Sequence, residues 1–423
     1  MDRDSGFFDS ALETMTAEAR AAYRAARVAD VLRVAWDRTP HFPQRLKAAG
    51  LALGDLKTPK HLARLPVLRK AGLPELQRQT PPFGGLLAVP VESLRRIFVS
   101  PGPIYDPFGP GPDYSRLARA FYAAGFRKGD IVLNTFAYHL TPAGAMCEDA
   151  LTALRCVVIP GGVGNTDTQV KLIHDLQATG YTGTPSFLAT ILERAGEMGI
   201  EVQKAWRLQV AFVSGAMLPE SLRADLSKKY GMRVRQAYAT ADLGLIAYEC
   251  PRQEGMHLAL DLIVEICDPQ TGQPLPAGST GEVVVTTFDE VYPLIRFGTG
   301  DLSALNPAPC SCGRTAPRLT RILGRADEVT KVRGMFVHPG QIDEVIARFP
   351  EVKRYQVVVT RKGNDDDLLL RVETHAREAP YGMDEAILTA LREGIKLRAR
   401  LEYVPDGAIP DGAKKILDQR TWT

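Results

Sequence analysis

Apolar and polar positions along this chain follow two rhythms. Between Ser10 and Arg33, the residues Leu12, Met15, Ala19, Tyr23, Val28 and Leu32 recur at the spacing of one helical face, predicting an alanine-rich helix. Pro43–Leu51 predicts a further short helix, and Arg96–Ser100 a short strand. From Asp113 onward the two rhythms alternate. Tyr114–Gly125 reads as a helix stopped by its glycine. Asp130–Thr135 is a strand, Glu148–Ala153 sits in a helix, Cys156–Pro160 is a strand, Asp167–Thr179 is a helix and Tyr181–Thr184 a strand. Strand, helix, strand repetition predicts a largely parallel, doubly wound sheet, whose ligands bind beyond the carboxyl ends of the strands. Ile263–Cys267 and Glu282–Thr287 read as antiparallel strands, joined by a loop that starts at Asp268-Pro269. After Asp327 the pattern is strand, helix (339–348), strand (352–360), strand (368–373), helix (383–397) and a last strand. The fold class is therefore α/β: a large N-terminal domain with doubly wound sheets plus a small β subdomain, and a small α+β C-terminal domain. The boundary is placed between residues 1–325 and 326–423.

Composition narrows the setting. The chain has 423 residues, too many for one compact core. It has no run of about twenty apolar residues, so no membrane span is expected. The N-terminus is polar and acidic without an apolar signal core, which points to a cytoplasmic protein. With 52 basic and 49 acidic residues spread along the chain, there is no electrostatic case for a nucleic-acid partner. Six cysteines in such a chain suggest thiols or a metal rather than a disulfide framework. Cys250 and His257, followed by Cys310 and Cys312 in a compact Cys-x-Cys-Gly turn, have the chemistry of a closed tetrahedral zinc set. The hairpin between residues 263 and 287 is expected to return the chain toward Cys250. Cys147, Cys156 and Cys267 lie in apolar surroundings and read as core.

Chemistry concentrates between Val291 and Gly334. An apolar strand pattern closes on Gly298-Thr299-Gly300-Asp301. The two glycines let backbone approach a ligand closely, and a carboxylate at such a strand exit can accept hydrogen bonds from a pair of sugar hydroxyls. Gly324-Arg325-Ala326-Asp327 then carries both charge signs beside a flexible residue, which is linker chemistry. The glycine-rich Gly161–Thr166 fits a turn before a helix better than a dinucleotide fingerprint.

Four segments together resemble the adenylate-forming superfamily, most closely its phenylacetate-CoA ligase branch: SGAMLPESL from Ser214, QAYATADLG from Gln236, YPLIRFGTGDL from Tyr292 and GRADEVTKVRGMFVHPGQIDEVI from Gly324. The resemblance implies that ATP activates a carboxylic acid, aryl or arylacetic, to an acyl-adenylate, and that coenzyme A then takes the acyl group. It implies that Ser214, Gly215 and Ala216 lay backbone against adenine, that Tyr238 stacks on it beside Ala239, and that Gln236 faces its edge. Asp301 would hold the ribose and Arg325 precede the pivot at Asp327, about which the small domain turns as a lid. Tyr138, His139 and Pro185, at two strand exits, would line the acyl pocket. Asp242 stands where the family has a glutamate for Mg²⁺, and an aspartate can ligate that ion. Lys414 or Lys415 would supply the late catalytic lysine. Some members carry the zinc set in a structural role, and a homodimer is a further expectation.

One segment departs from the pattern. Where the family has a hydroxyl-rich phosphate loop ending in Lys-Pro, residues 100–112 read SPGPIYDPFGPGP. Prolines remove the backbone donors that a phosphate cradle needs. A second expectation follows: a non-catalytic or reassigned member that binds AMP, an acyl-adenylate or an acyl-CoA.

Overall fold

The structure is a computed structural model that describes residues 2–100, 103–326, 330–332, 335–337, 339–362, 365–375 and 382–420. It divides into two compact units, residues 1–299 with 304–321, and residues 300–303 with 322–423.

The first unit is built on a nine-stranded sheet. Its strand order is Leu305–Asn306, Arg318–Leu319, Met256–Leu258, Gly244–Glu249, Arg233–Thr240, Val210–Val213, Gly180–Gly183, Ile131–Asn134 and Val157–Pro160. The last five run parallel, and the pairs from Arg233–Thr240 outward are antiparallel. Helices Ala143–Ala153, Thr166–Asp175, Pro185–Glu197 and Glu220–Tyr230 connect the parallel strands, as the alternating pattern requires. The apolar faces of three of them meet the sheet through Val170, Ile173, Leu188, Ile191, Leu192 and Leu226, all buried against Tyr181 and Val213. A second sheet pairs Leu262–Cys267 with Gly281–Thr287 as expected and adds Phe297–Ser303 and Leu68–Arg69.

One expectation is corrected here. The N-terminal helical pattern is broken: Ser10–Glu13 is one turn, and the long helix runs Ala17–Arg38. The Thr16 side chain accepts the Ala19 N–H and restarts the helix. Val28, Val31, Leu32 and Ala35 form its buried stripe against Phe42, Leu46, Leu62 and Ile295. Each large aliphatic side chain so buried contributes about 1.5–3 kcal/mol. The proline-rich segment contributes a strand of its own. Ile104–Phe108 pairs antiparallel with Arg96–Ser100, and Pro107, which has no N–H to give, lies opposite Ile97.

The second unit holds a four-stranded sheet in the order Arg400–Tyr403, Asp365–Thr374, Val352–Lys362, Ile416–Asp418. Helices Pro339–Ile346 and Met383–Ile395 pack on it around Val357, Val359, Leu370, Val372, Ile387 and Leu391. The single last strand expected from the sequence is two, and both join the sheet in parallel.

Candidate active site

The ends of the parallel strands in the first unit enclose an apolar cavity of about 100 Å³, walled by Leu117, Phe136, Met146, Cys147 and Phe212 together with Ser214, Gly215 and Ala239–Ala241. Strand Val210–Val213 ends one residue before Ser214, whose hydroxyl donates to the Ala237 carbonyl at 3.0 Å. Gly215 follows at φ +77°, a left-handed turn that a side chain would strain. The neighbouring strand bulges between Tyr238 and Ala239. A bulge re-aims the side chains beyond it, so Ala239, Thr240 and Ala241 turn to the cavity. The small residues on this wall leave room that larger ones would fill.

Of the residues singled out from the sequence, Ser214, Gly215 and Ala239 line this cavity; Ala216, Tyr138, His139, Pro185, Gln236 and Tyr238 do not. His139 is exposed. The Tyr138 hydroxyl accepts from Asn134 Nδ2 at 2.8 Å, and burial raises its phenol above the ordinary value. Pro185 opens its helix and is buried. Tyr238 is buried, and Gln236 donates from Nε2 to Glu249 at 2.9 Å. Sequence reasoning missed Phe136, Met146, Cys147 and Phe212. Cys147 read as core; it is buried, and it also forms cavity wall.

Asp242 follows the cavity wall but is held away from solvent. Its side chain is fully buried, and Oδ2 accepts from Lys70 Nζ at 2.5 Å. Asp106, brought by strand Ile104–Phe108, lies beside it. Burial first, then the neighbouring Asp242 charge, push the Asp106 carboxyl up to about 7. Neither Lys70 nor Asp106 was singled out from the sequence. They lie 172 and 136 positions before Asp242, and no local pattern links them.

In the second unit, Asp301 pairs across the strands with Arg325, and its Oδ1 accepts from Arg325 Nη1 at 2.9 Å. Gly300 between the two glycine-flanked positions has φ +76°, and a Cβ there would meet the Arg325 guanidinium at 2.5 Å. Asp327 lies outside the described residues. The two candidate lysines differ. Lys415 Nζ is bound to Asp343 Oδ1 at 2.6 Å and sits 5.6 Å from the centre of the Tyr355 ring. Lys414 is exposed, and only its backbone carbonyl is engaged, by Gln356.

Cys250, His257, Cys310 and Cys312 converge, with their ligand atoms all within 4.8 Å of one another. Cys250 Sγ is 3.7 Å from Cys310 Sγ, and Cys312 Sγ is 3.4 Å from His257 Nε2. His257 Nδ1 lies 3.0 Å from the Ala316 carbonyl, which takes its proton and leaves Nε2 free to ligate. The Cys312 thiol is drawn well below its ordinary value by the hydrogen bond from Cys250, with help from His257. Three sulfurs and one imidazole nitrogen suit a four-coordinate soft ion. The route differs from the one expected. His257 arrives on strand Met256–Leu258, which pairs with Gly244–Glu249 on one side and Arg318–Leu319 on the other, while the 262–287 hairpin belongs to the second sheet.

Residues 137–288 match the AMP-binding enzyme family, and residues 334–420 match the AMP-binding enzyme C-terminal domain. Phenylacetate-coenzyme A ligase of Thermus thermophilus is 30% identical over 444 residues, covering 97% of this chain and 98% of that protein. The chain belongs to the adenylate-forming superfamily, in its phenylacetate-CoA ligase-like branch. A second adenylate-forming relative, phenylacetate-coenzyme A ligase of Aromatoleum evansii, is 30% identical over 92% of each chain. The solved structure of 2-hydroxyisobutyryl-CoA ligase in an open conformation, in complex with 2-HIB-AMP and CoA, superposes with a TM-score of 0.87. It is 26% identical, and the match covers 99% of this chain and 97% of that one.

Proposed function

We propose that this chain is an acid–coenzyme A ligase. A carboxylate attacks the α-phosphorus of ATP and expels pyrophosphate; the coenzyme A thiol then attacks the acyl-adenylate and AMP leaves. The observation that carries the reading is the small apolar cavity ending at Ser214, Gly215 and Ala239–Ala241. An uncharged acyl group fits such a wall, and a second carboxylate would be buried there without a partner. The acid is therefore a monocarboxylic one, and the resemblance to the phenylacetate-CoA ligases makes it aryl or arylacetic in class. Tyr238 and Gln236 hold adenine, Asp301 with Arg325 holds the ribose, and Tyr138, His139 and Pro185 serve the acyl group from their two strand exits. Residues 326–423 act as the lid domain, hinged at Asp327.

Each resident group has its donors. Asp242 Oδ1 is buried without a partner, which fits an oxygen ligand for Mg²⁺. When bound, the ion offsets charge on the phosphates. Cys250, His257, Cys310 and Cys312 hold a structural Zn²⁺. Of the two lysines, Lys414 is the one for the α-phosphoryl oxygens, because Lys415 is already committed to Asp343. No helix among the described residues is long and apolar enough to cross a membrane, which accords with a cytoplasmic enzyme.

The test is acid-dependent pyrophosphate release from ATP across aromatic, arylacetic and short branched acids, followed by thioester formation with coenzyme A. Lys414→Ala is expected to slow adenylation about 100-fold or more, and Lys415→Ala much less. A reversed order would transfer the role to Lys415. The proline-bearing hairpin at 96–108 is what favours a binding-only protein. Tight AMP binding with no pyrophosphate released for any acid would establish that reading instead.

A further inference from the structure

Gln236 is held by a buried ion pair that takes no part in the chemistry of adenylation. Arg223, on helix Glu220–Tyr230, and Glu249, at the end of strand Gly244–Glu249, are 5% and 4% exposed. They meet in a bidentate pair, Nη1 to Oε2 and Nη2 to Oε1, both at 2.8 Å. The same two carboxylate oxygens accept from Gln236. Its backbone N–H donates to Oε2 at 3.0 Å, and its Nε2 donates to Oε1 at 2.9 Å. Four donors thus fill the four lone-pair positions of one carboxylate. Arg223 is fixed in turn: Nε donates to Glu220 and Nη1 to the Val234 carbonyl, each at 3.1 Å. Desolvation makes a buried pair of this kind weak evidence for a gain in stability. What it orients explains it better.

Paired with a guanidinium, Glu249 is a carboxylate, and a carboxylate only accepts. The nitrogen of the Gln236 amide must therefore face it. The reverse rotation would set two acceptors against each other. Oε1 is left pointing away from Glu249. Gln236 is half-buried, and its Oε1 takes no hydrogen bond from any described residue. Strand register puts this amide beside the cavity. Gln236 lies opposite Val213, which precedes Ser214, and it stands two residues before Tyr238.

We propose that Glu249, clamped by Arg223, is a positioning residue that fixes the Gln236 amide with its oxygen toward the base and so makes the nucleotide site select a 6-amino purine over a 6-oxo purine. The proposal deepens the ligase reading and rests on its placement of adenine at Gln236. Neither Glu249 nor Arg223 touches the nucleotide. Gln236 Oε1 accepts from the exocyclic amino group, and the second Nε2 hydrogen is left for N7, the pattern by which a glutamine reads adenine. In a 6-oxo purine the carbonyl oxygen meets Oε1, acceptor against acceptor. Glu249 prevents the amide from turning over to relieve that clash.

The experiment measures AMP and IMP binding to the full-length protein by isothermal titration calorimetry, without acid or coenzyme A. The wild-type chain is expected to prefer AMP by about 10–100-fold. Glu249→Gln gives the amide a neighbour that can donate, and Arg223→Met with Glu249→Gln removes the charge pair whole. In both, the preference should fall to about threefold or less, with AMP weakened and IMP strengthened. A pair that only held the fold together would weaken both nucleotides equally, so an undiminished ratio in the folded variants overturns the proposal. Gln236→Leu keeps the ion pair and should lose the preference as well. Where neither variant at Glu249 melts cooperatively, Gln236→Leu decides: a preference for AMP that survives it overturns the proposal. The two readings fail separately. A chain that makes thioester but binds AMP and IMP equally keeps the ligase and loses this role for Glu249. A chain that prefers AMP through Gln236 and Glu249 but releases no pyrophosphate keeps the role and loses the ligase.

Discussion

A single carboxyl can report its surroundings through pH. Asp113 Oδ2 accepts the Ala118 N–H at 3.0 Å and so caps the helix Ala118–Ala124, while its Oδ1 is buried without a partner. It lines a cavity of about 340 Å³ with Arg27, Arg116, Arg119 and Asp261. Burial outweighs the nearby arginines and pushes the carboxyl up to about 6. An unfolded aspartate titrates near 4. Between these values the folded chain still holds a proton that the unfolded chain has released. The contribution of this group to stability is thus present below about pH 4 and is lost as pH rises through about 6. Asp113→Asn keeps an oxygen for the cap and removes the charge. It should leave the urea midpoint unchanged near pH 4 and stabilise the protein by about 1–3 kcal/mol at pH 8. A difference that does not vary with pH would show that the charge is not what matters.

At the scale of elements, the decisive side chain is Arg296, which precedes Phe297–Ser303. It is 1% exposed and has φ +49°, a left-handed conformation that costs about 1–2 kcal/mol for a residue with a side chain. The surroundings impose it. Nε donates to Glu265 at 3.0 Å, and the two Nη groups reach the carbonyls of Ala63, Leu65 and Gly272 and the sulfur of Cys267. One guanidinium thus ties the second sheet to the segment before it and to the turn after Asp268. Arg296→Met would leave Glu265 and three carbonyls short of donors and should cost about 3–5 kcal/mol. Adding Glu265→Leu should recover part of that loss, measured by urea midpoints in a double-mutant cycle; full additivity would mean that the pair is not coupled. The sequence made the strand of this element legible, because apolar residues run up to glycines at a recognisable period. It did not reveal the clamp, because every partner of the Arg296 guanidinium lies at least 24 residues away. The same limit explains the site. Ser214, Gly215 and Ala239 were legible at strand ends, where pattern and chemistry coincide. Phe136, Met146, Cys147 and Phe212 look like any core residues until strand order places them around one space. Asp106 lay inside a segment that read only as too rich in proline.

Across the whole molecule, the four-ligand knuckle does more than close a turn. Arg314, two residues after Cys312, binds Glu13 Oε2 at 2.7 Å, and both side chains are buried. Thr315 donates its N–H to the Glu13 carbonyl at 3.0 Å and its hydroxyl to the Met15 carbonyl at 2.6 Å, and Arg20 reaches the same hydroxyl. Tyr248, from the strand leading to Cys250, donates to Glu13 as well. The N-terminal segment is therefore fastened to the nine-stranded sheet through residues that flank the Cys310–Cys312 turn. The second unit has its own core and none of the ligands. If the proposed zinc is bound at these four residues, removing it should consequently act on one unit alone. In calorimetry, a chelator should lower the transition of the first unit by about 3 °C, the shift expected for a loss of roughly 2 kcal/mol in a unit of this size, and leave that of the second unit in place. Cys312→Ser should reproduce the shift and make the chelator ineffective, while Glu13→Gln should produce part of it with zinc still bound. If the chelator moves both transitions equally, the units unfold together; if it releases no zinc and moves neither, the cluster is four packed side chains without an ion. Only a shift confined to the first unit, with zinc recovered in solution, fits a metal that pins the N-terminal helix to the sheet.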